Sequence, residues 1–326
     1  YVVLSLMGAA VALLGFLILF AAMQAAGGEI YTWAGLTASA SKMPLILLQT
    51  AFLLILVGLG TKVGLVPMHT WLPDAHSQAP SPVCALLSGV ETTAVLYVIL
   101  RLFPVLKAAP GAHAEAWATV FGLASLGVAA FLLLQVRDYK RMFAFSTVEH
   151  MGIILLAVGL GTSEAHYGAL YQALTHALAK SFCFFAAGAV LLATGTREIA
   201  SIRGLIRISP IAGAGLLFGG LAIAGAPPFA VFLSEFSIFK AGLAGGHYLA
   251  TGSLVLFIAV GFIGVLFHVN RMVFGEIHAG NRPQLRLPAS CLAVLGITAL
   301  LVTGLGLYLP EPLHQLLRLG AAALER

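Results

Sequence analysis

Charged side chains are scarce in this sequence of 326 residues, where 9% are Asp, Glu, Lys or Arg and 60% are hydrophobic. Soluble domains carry about 25% charged residues, so this composition excludes an ordinary water-soluble protein. Basic clusters with interleaved aromatic residues are also lacking, so the formal net charge of +5 indicates loop lysines and arginines. We therefore predict a protein of the lipid bilayer that binds no nucleic acid.

Cysteine is equally rare, with three residues that lie far apart inside apolar stretches: Cys84, Cys183 and Cys291. This spacing provides no disulfide framework, no CxxC metal pair and no iron–sulfur motif. We expect no cofactor and no metal on this chain.

Long apolar runs dominate what is present, and they lack the alternation that a membrane β-barrel requires. They predict an all-α, polytopic transmembrane helical bundle. Only short loops separate them, so we expect one transmembrane domain over residues 1–326 and no soluble domain. About nine spans are expected, at 1–26, 43–67, 82–106, 114–136, 145–161, 166–194, 209–243, 250–273 and 288–309. Residue 1 is Tyr and already opens an apolar run, which predicts a fragment of a longer subunit.

Two of these spans carry prolines that predict discontinuous helices. Pro67 and Pro73 bracket the second span's polar end, and Pro227 and Pro228 stand in the middle of the seventh. Proline removes a backbone donor and clashes with the preceding turn. Two broken helices indicate a transport site between structural repeats, although a structural kink explains either one alone.

The basic residues of the loops and of the span ends divide unequally between the two sides of the membrane. By the positive-inside rule, the side with more of them faces the cytoplasm of a cell inner (plasma) membrane. That side comprises loops 137–141, 195–208 and 271–287, with Arg137, Lys140, Arg141, Arg197, Arg203, Arg207, Arg271, Arg282 and Arg286. The other side carries Lys42, Arg101, Lys107, Arg318 and Arg326.

Several ionisable residues fall inside the predicted spans, where each charge costs about 2.5–3.5 kcal/mol. Burial favours the neutral forms of lysine and glutamate, so both types can exchange protons near neutral pH. His176 and Lys180 are four residues apart and share a helix face. The candidate proton-transfer residues are Lys62, Glu91, Glu149, His150, His176, Lys180 and Glu235.

For each of these residues, a purely structural role remains an open alternative to proton transfer. A buried charge can form a structural ion pair, and a side chain such as Lys240 can extend to the membrane surface. His69, Asp74 and His76 are expected in a loop-like segment after the first break. They could deliver protons from the surface, or they could serve as helix caps and loop hydrogen-bonding groups.

Four stretches resemble the antiporter-like membrane subunits of respiratory complex I, Mrp cation/proton antiporters and membrane-bound hydrogenases. They are TKVGLVPMHTWLPDAHSQAPSPVCALLSG, DYKRMFAFSTVEHMGI, HALAKSFCFFAAG and GLAIAGAPPFAVFLSEF. They occur in the family's order, and the pattern covers essentially the whole chain. FSTVEHMG and PSPVCALLSG are most similar to the hydrogenase-associated branch, including the formate-hydrogenlyase type.

The resemblance implies an inverted-repeat antiporter-like fold of fourteen helices, of which this chain would hold the sixth onward. It implies that Lys62 is the central lysine before the first break. It further implies that Lys180, with His176, links two half-channels and that Glu235 is the terminal position in the second broken helix. Relatives often have lysine or histidine where this chain reads VETTAVLY, so Glu91 departs from the pattern. The glutamate that pairs with Lys62 in relatives is expected on an earlier helix, outside this sequence.

These features together predict a proton-translocating subunit of a redox-driven complex, of the hydrogenase or NADH-quinone oxidoreductase type. The hypothesis places electron chemistry on partner membrane subunits, so whether the chain counts as part of an enzyme stays open. An Mrp-type sodium/proton antiporter and the coupling subunit of an inorganic-carbon uptake system are alternatives. A haem- or quinone-binding subunit, with His150 and His176 as haem ligands, and a purely structural scaffold complete the possibilities.

Overall fold

The computed structural model describes residues 1–28, 32–276 and 287–325, which contain helices and no strand. This confirms the predicted all-α class. In chain order the helices are α1 Val2–Ala25, α2 Trp33–Ser39, α3 Leu45–Val63, α4 Trp71–Gln78, α5 Ser81–Leu86, α6 Thr92–Leu100, α7 Phe103–Lys107, α8 Ala114–Gln135, α9 Tyr139–Gly159, α10 Ser163–Thr194, α11 Leu205–Ile208, α12 Pro210–Ile223, α13 Ala230–Ala244, α14 Tyr248–Phe274, α15 Ala289–Leu307 and α16 Glu311–Ala323.

Eight helical segments in this part of the chain are long and apolar enough to cross a bilayer. Two of them combine several helices: Leu45–Gln78 includes α3 and α4, and Ser81–Lys107 includes α5, α6 and α7. The remaining predicted span, 209–243, is divided between α12 and α13, of 14 and 15 residues. Helices of that length reach only about 21–23 Å, less than the roughly 30 Å hydrocarbon core. The predicted crossing is therefore made in two pieces.

Both predicted helix breaks are present, and each combines a left-handed glycine with proline. Helix α3 ends at Gly64, whose φ of 87° is strained for any residue with a Cβ atom. Helix α12 ends just before Gly225, which has a φ of 74°. The prolines that follow cannot donate the backbone hydrogen bonds that would continue either helix. The breaks therefore free backbone carbonyl groups from helical hydrogen bonds at membrane depth.

The segment after the first break is not the loop that the sequence predicted. Asp74 and His76 lie in α4, and His69 lies in the 3₁₀ turn Met68–Thr70 before it. Pro73 is the third residue of α4, where a helix has no intrahelical acceptor for the backbone N–H. Proline is therefore compatible with this helix, and its presence was a misleading sign of a loop.

The prediction of a loop at 137–141 and of a fifth span beginning at 145 was also wrong. Helix α9 begins at Tyr139, because the Asp138 carboxylate caps it by accepting hydrogen bonds from the backbone N–H groups of Lys140 and Arg141 at 2.7 and 3.2 Å. Glu149 and His150 consequently lie in the middle of α9, and Lys140 is buried. Arg282, Arg286 and Arg326 lie outside the described residues.

Helices α9 and α10 form the centre of the bundle. Helix α9 is buried along nearly its whole length and packs against α8 and α10. The crossing with α8 is close because Gly152 has no side chain. A Cβ atom there would lie 2.7 Å from the Leu126 backbone nitrogen. Helix α10 has 32 residues and contacts α5, α9, α12, α13, α15 and α16. Side chains from both halves of the chain can therefore meet along these two helices.

Segments that the sequence placed on one side of the membrane do meet at one end of the bundle. The backbone of Asp138 pairs with that of Glu198, and the Arg197 guanidinium donates to the Ser77 carbonyl. Partial burial and the nearby Arg271 charge lower the pKa of Arg203. The loop before α9, the 195–208 segment and the end of α14 are thus neighbours.

Candidate functional site

The first candidate pair joins the last turn of α3 to a π-helical turn between α5 and α6. Lys62 Nζ lies 2.5 Å from Glu91 Oε1, with the two side chains 25% and 27% exposed. The ammonium also donates to the Tyr1 hydroxyl and lies 5.7 Å from the ring centroid of Trp71. The expectation that the partner of Lys62 lies outside this sequence is therefore incomplete, because Glu91 already pairs with it. Two distant segments had to be brought together to reveal this pair.

The first helix break is stabilised by side chains from two other helices. The Trp71 indole donates to the Thr61 carbonyl at 2.6 Å, next to Lys62 in the chain. Ser125 Oγ, on α8, accepts a hydrogen bond from the Val66 backbone N–H at 2.9 Å. Polar backbone groups that the break frees thus have partners, as burial at membrane depth requires.

Glu91 lies on a π-helical turn, Leu87–Glu91, which connects the first pair to the centre of the bundle. The Ser88 carbonyl lies 3.2 Å from His176 Nε2, and the Ser88 hydroxyl lies 2.7 Å from the Thr147 hydroxyl. A π turn widens the helix and frees carbonyl groups, and such turns are frequent at functional sites. Nothing in the sequence LSGVE predicted this irregularity.

Lys180 is completely buried on α10 and faces α9. Its ammonium donates to the Phe143 carbonyl at 2.5 Å and to the Ser146 hydroxyl. No carboxylate in the described part of the chain lies within ion-pair distance of it. Glu149 is one helical turn beyond Ser146 on α9. Neutral groups therefore hold this lysine, with a carboxylate further along the same face.

His150 and His176 lie side by side, as a shared path requires, with ring centroids 5.1 Å apart. Gln172 Nε2 lies 3.1 Å from His150 Nδ1, and an amide nitrogen can only donate, so His150 carries its proton on Nε2. That nitrogen lies 3.0 Å from the Ile223 carbonyl, at the end of α12. Both ring nitrogens of His150 are engaged, so this ring offers no free nitrogen to a haem iron.

Beyond His150, polar side chains continue to the second broken helix. The Ser234 hydroxyl donates to Gln172 Oε1 and lies 3.0 Å from the Thr175 hydroxyl. Glu235 follows Ser234 on α13, and its carboxylate lies against Gly225, where a Cβ atom would be 2.3 Å from Oε2. Its carboxylate also lines a cavity of about 540 Å³ between α13 and α14, otherwise mostly apolar. Sequence reasoning missed Gln172 and Ser234, because uncharged polar residues are common in membrane helices.

Two further buried groups lie between this centre and the basic end of the bundle. His76 is fully buried, its ring stacks on Phe184 at 5.0 Å, and neither ring nitrogen has a hydrogen-bond partner. Lys140 is 1% exposed and donates to the Ala79 carbonyl. The sequence placed both residues in loops, so their burial was not predicted.

The site residues predicted from the sequence thus fall into two groups. Lys62 and Glu91 form one, and His150, His176, Lys180 and Glu235 lie along the other. Glu149 lies beside the second group, with its carboxylate against Gly261 of α14.

Residues 1–263 match the family described as NADH:quinone oxidoreductase/Mrp antiporter, TM. The chain is 39% identical over 317 residues to a hydrogenase-4 component F homolog from Methylacidiphilum infernorum, covering 95% of this chain and 65% of that protein. It is 32% identical to NADH-quinone oxidoreductase subunit N from Desulforudis audaxviator, covering 81% and 55%. It is also 32% identical to Na(+)/H(+) antiporter subunit A1 from Staphylococcus aureus, covering 79% and 35%. The chain thus spans no more than about two thirds of these relatives.

Among solved structures, the fold matches a chain of the archaeal membrane-bound sulfane sulfur reductase. The TM-score is 0.89 at 26% identity, over 100% of this chain and 65% of that one. A chain of respiratory complex I from Thermus thermophilus gives 0.83 at 24% identity, over 99% and 68%. The antiporter-like fold expected from the resemblance is confirmed.

Proposed function

Because this chain belongs to the NADH:quinone oxidoreductase/Mrp antiporter family of transmembrane proteins, we propose that it moves protons for a redox-driven membrane complex. The complex would be of the hydrogenase or NADH-quinone oxidoreductase type. The observation that carries the proposal is a row of polar groups through an apolar core, in which hydrogen bonds are joined by the ring contact between His176 and His150. It runs from Ser88 through His176, His150 and Gln172 to Ser234, beside Glu235.

In the proposed mechanism, the two groups of residues exchange protons through the π turn. When Lys62 transfers its proton, the attraction that holds Glu91 close is lost, and the turn that carries Glu91 also carries the His176 contact at Ser88. His176 and His150 then pass a proton between the region of Lys180 and Glu235. Imidazole suits this role because it can accept a proton on one nitrogen and release one from the other.

His76 and Lys140 provide the route by which Lys180 is reloaded. His76 stacks on Phe184, one helical turn beyond Lys180 on α10, and Lys140 lies two residues after Asp138, at the end of the bundle that collects the basic segments. We propose that this end faces the cytoplasm and that the membrane is the cell inner (plasma) membrane, by the positive-inside rule. On this orientation, protons enter through His76 and leave on the opposite side by way of Glu235.

The partners of the chain follow from what its own residues do not provide. Protons moved uphill need a source of free energy, and the proposed source is electron transfer on other membrane subunits. No cofactor or metal is proposed on this chain, and residues 1–326 are proposed to act as a single transmembrane domain. The sodium/proton antiporter relative keeps sodium as the alternative cargo.

The test uses the full-length protein in its native complex, reconstituted into vesicles with a pH-sensitive dye. Redox-driven proton uptake is compared in Lys62→Ala, Lys180→Ala and the control Lys240→Ala, with and without sodium. Lys240 is an exposed lysine on α13 outside both groups. We expect both core variants to assemble and to lose uptake regardless of sodium, while Lys240→Ala keeps it. Unchanged uptake in both core variants would overturn the proposal, and loss only with sodium present would support sodium as the cargo.

A further inference from the structure

Arg101 lies between aromatic rings at the end of the bundle opposite to the basic segments. It directly follows α6, and its guanidinium carbon lies 5.4 Å from the ring centroid of Trp33 and 6.0 Å from that of Tyr97. A guanidinium attracted to ring faces still has N–H donors in its own plane. The aromatic contacts therefore position Arg101 without satisfying its hydrogen bonds.

The described residues supply no anionic partner for this arginine. Its Nε atom is buried without a hydrogen-bond partner, and no carboxylate in residues 1–28, 32–276 or 287–325 lies within ion-pair distance. Two neighbouring cations do have partners: Lys107 lies 3.4 Å from Glu115, and Arg318 donates to a histidine nitrogen at 2.9 Å. Buried donors are normally paired, and none of the described residues supplies an acceptor for this one.

A cavity of about 390 Å³ lies beside the guanidinium. Helices α2 and α7 form most of its wall, through Trp33, Ala34, Thr37, Ala38 and Pro104, and the end of α16 closes one edge. The wall is mainly apolar, with the Arg101 donors as its cationic group. Trp and Tyr concentrate where membrane helices meet lipid headgroups, which is the depth of the lipid phosphate.

We propose that this cavity binds a membrane phospholipid through its phosphate. Arg101 donates to the phosphate oxygens, for which the planar guanidinium fork is well matched. Trp33 and the alanines of α2 contact the glycerol and the first acyl carbons. The inference is independent of proton transfer, because none of these residues belongs to the proposed path.

The test is a lipid titration of the full-length protein in its native complex. The complex is stripped of lipid in detergent, titrated with phosphatidylglycerol, and the bound lipid is counted by native mass spectrometry. Arg101→Gln removes the anion-binding group, and Ala38→Leu fills the cavity without changing charge. Lys42→Gln is the control, because Lys42 is an exposed cation just after α2. Loss of hydrogen bonds to a charged group predicts about tenfold or weaker binding at one lipid site in Arg101→Gln. Ala38→Leu should weaken binding at the same site because its larger side chain occupies the space of the lipid.

Two further ligands distinguish the phosphate from the rest of the lipid. Diacylglycerol, which has the acyl chains without phosphate, should occupy the site weakly in wild type and in Arg101→Gln alike. Inorganic phosphate should not displace phosphatidylglycerol at matched concentration. Equal lipid binding in wild type, Arg101→Gln and Ala38→Leu would overturn the proposal. So would an equal loss in Lys42→Gln, which would indicate only surface charge, or full displacement by free phosphate.

Discussion

A substitution at Gly261, which the Glu149 carboxylate contacts, can move that carboxylate without replacing Glu149 itself. Its carboxylate lies against Gly261 of α14, where a Cβ atom would be 2.1 Å from Oε1 and 2.9 Å from Cδ. Ordinary van der Waals separations are about 3.5–4.0 Å, so Gly261→Ala must displace the carboxylate by more than about 1 Å. Since the clashing atoms end a flexible side chain, the cost in unfolding free energy should be small, about 1 kcal/mol.

A displacement of this size has a larger effect on proton transfer than on stability. Reacting groups misplaced by 1 Å can lose about a hundredfold in rate, so we expect redox-driven proton uptake to fall roughly tenfold to a hundredfold. Gly252→Ala is the control, because it makes the same change on the same helix and a Cβ atom there meets nothing within 4 Å. The assay is dye-monitored uptake by the reconstituted complex, with assembly followed by its thermal midpoint. If the two variants pump equally and assemble equally, a role for the Glu149 position is refuted.

Three further changes test other parts of the account. Gly306→Val should destabilise the second broken helix by about 1–3 kcal/mol, since a Cβ atom would lie 2.0 Å from a backbone oxygen there; Gly304→Val, with nothing within 4 Å, should leave the thermal midpoint of the complex nearly unchanged. His76→Phe should keep the ring stacking and assembly but slow proton uptake, and wild-type uptake would argue against this route. Lys62→Met should reduce stability more than Lys62→Met with Glu91→Met, giving a coupling of roughly 1–3 kcal/mol in thermal unfolding; additive losses would mean that the 2.5 Å pair contributes nothing.

Local chemistry allowed much of this fold to be predicted from the sequence. Apolar runs place the spans, and prolines beside Gly64 and Gly225 place both broken helices. Charges in apolar runs likewise predicted that Lys180 and Glu235 lie inside the bundle, where both are buried, although membrane insertion of such residues is costly. These signals depend only on residues that are close in the chain.

The features that the sequence did not predict depend on contacts between distant segments. The pairing of Lys62 with Glu91 requires α3 and the π turn to meet, and the LSGVE stretch has no signal for a π turn. His76 was placed in a loop because Pro73 suggested one, although proline is compatible with a helix's first turn. Nothing in the sequence indicated that Gln172 contacts both His150 and Ser234, because all three lie on different helices.

The central claim is that the row of polar side chains between the bundle's centre and Glu235 carries protons. His150→Gln tests it directly, because it removes the ring that contacts Gln172 and His176. His268→Gln is the control, because His268 is also a buried histidine and lies 3.1 Å from a carbonyl oxygen. It does not belong to the row of polar side chains. The measurement is redox-driven proton uptake by the reconstituted native complex, at equal assembly. We expect His150→Gln to lose uptake and His268→Gln to keep it. Full uptake in His150→Gln would contradict the central claim.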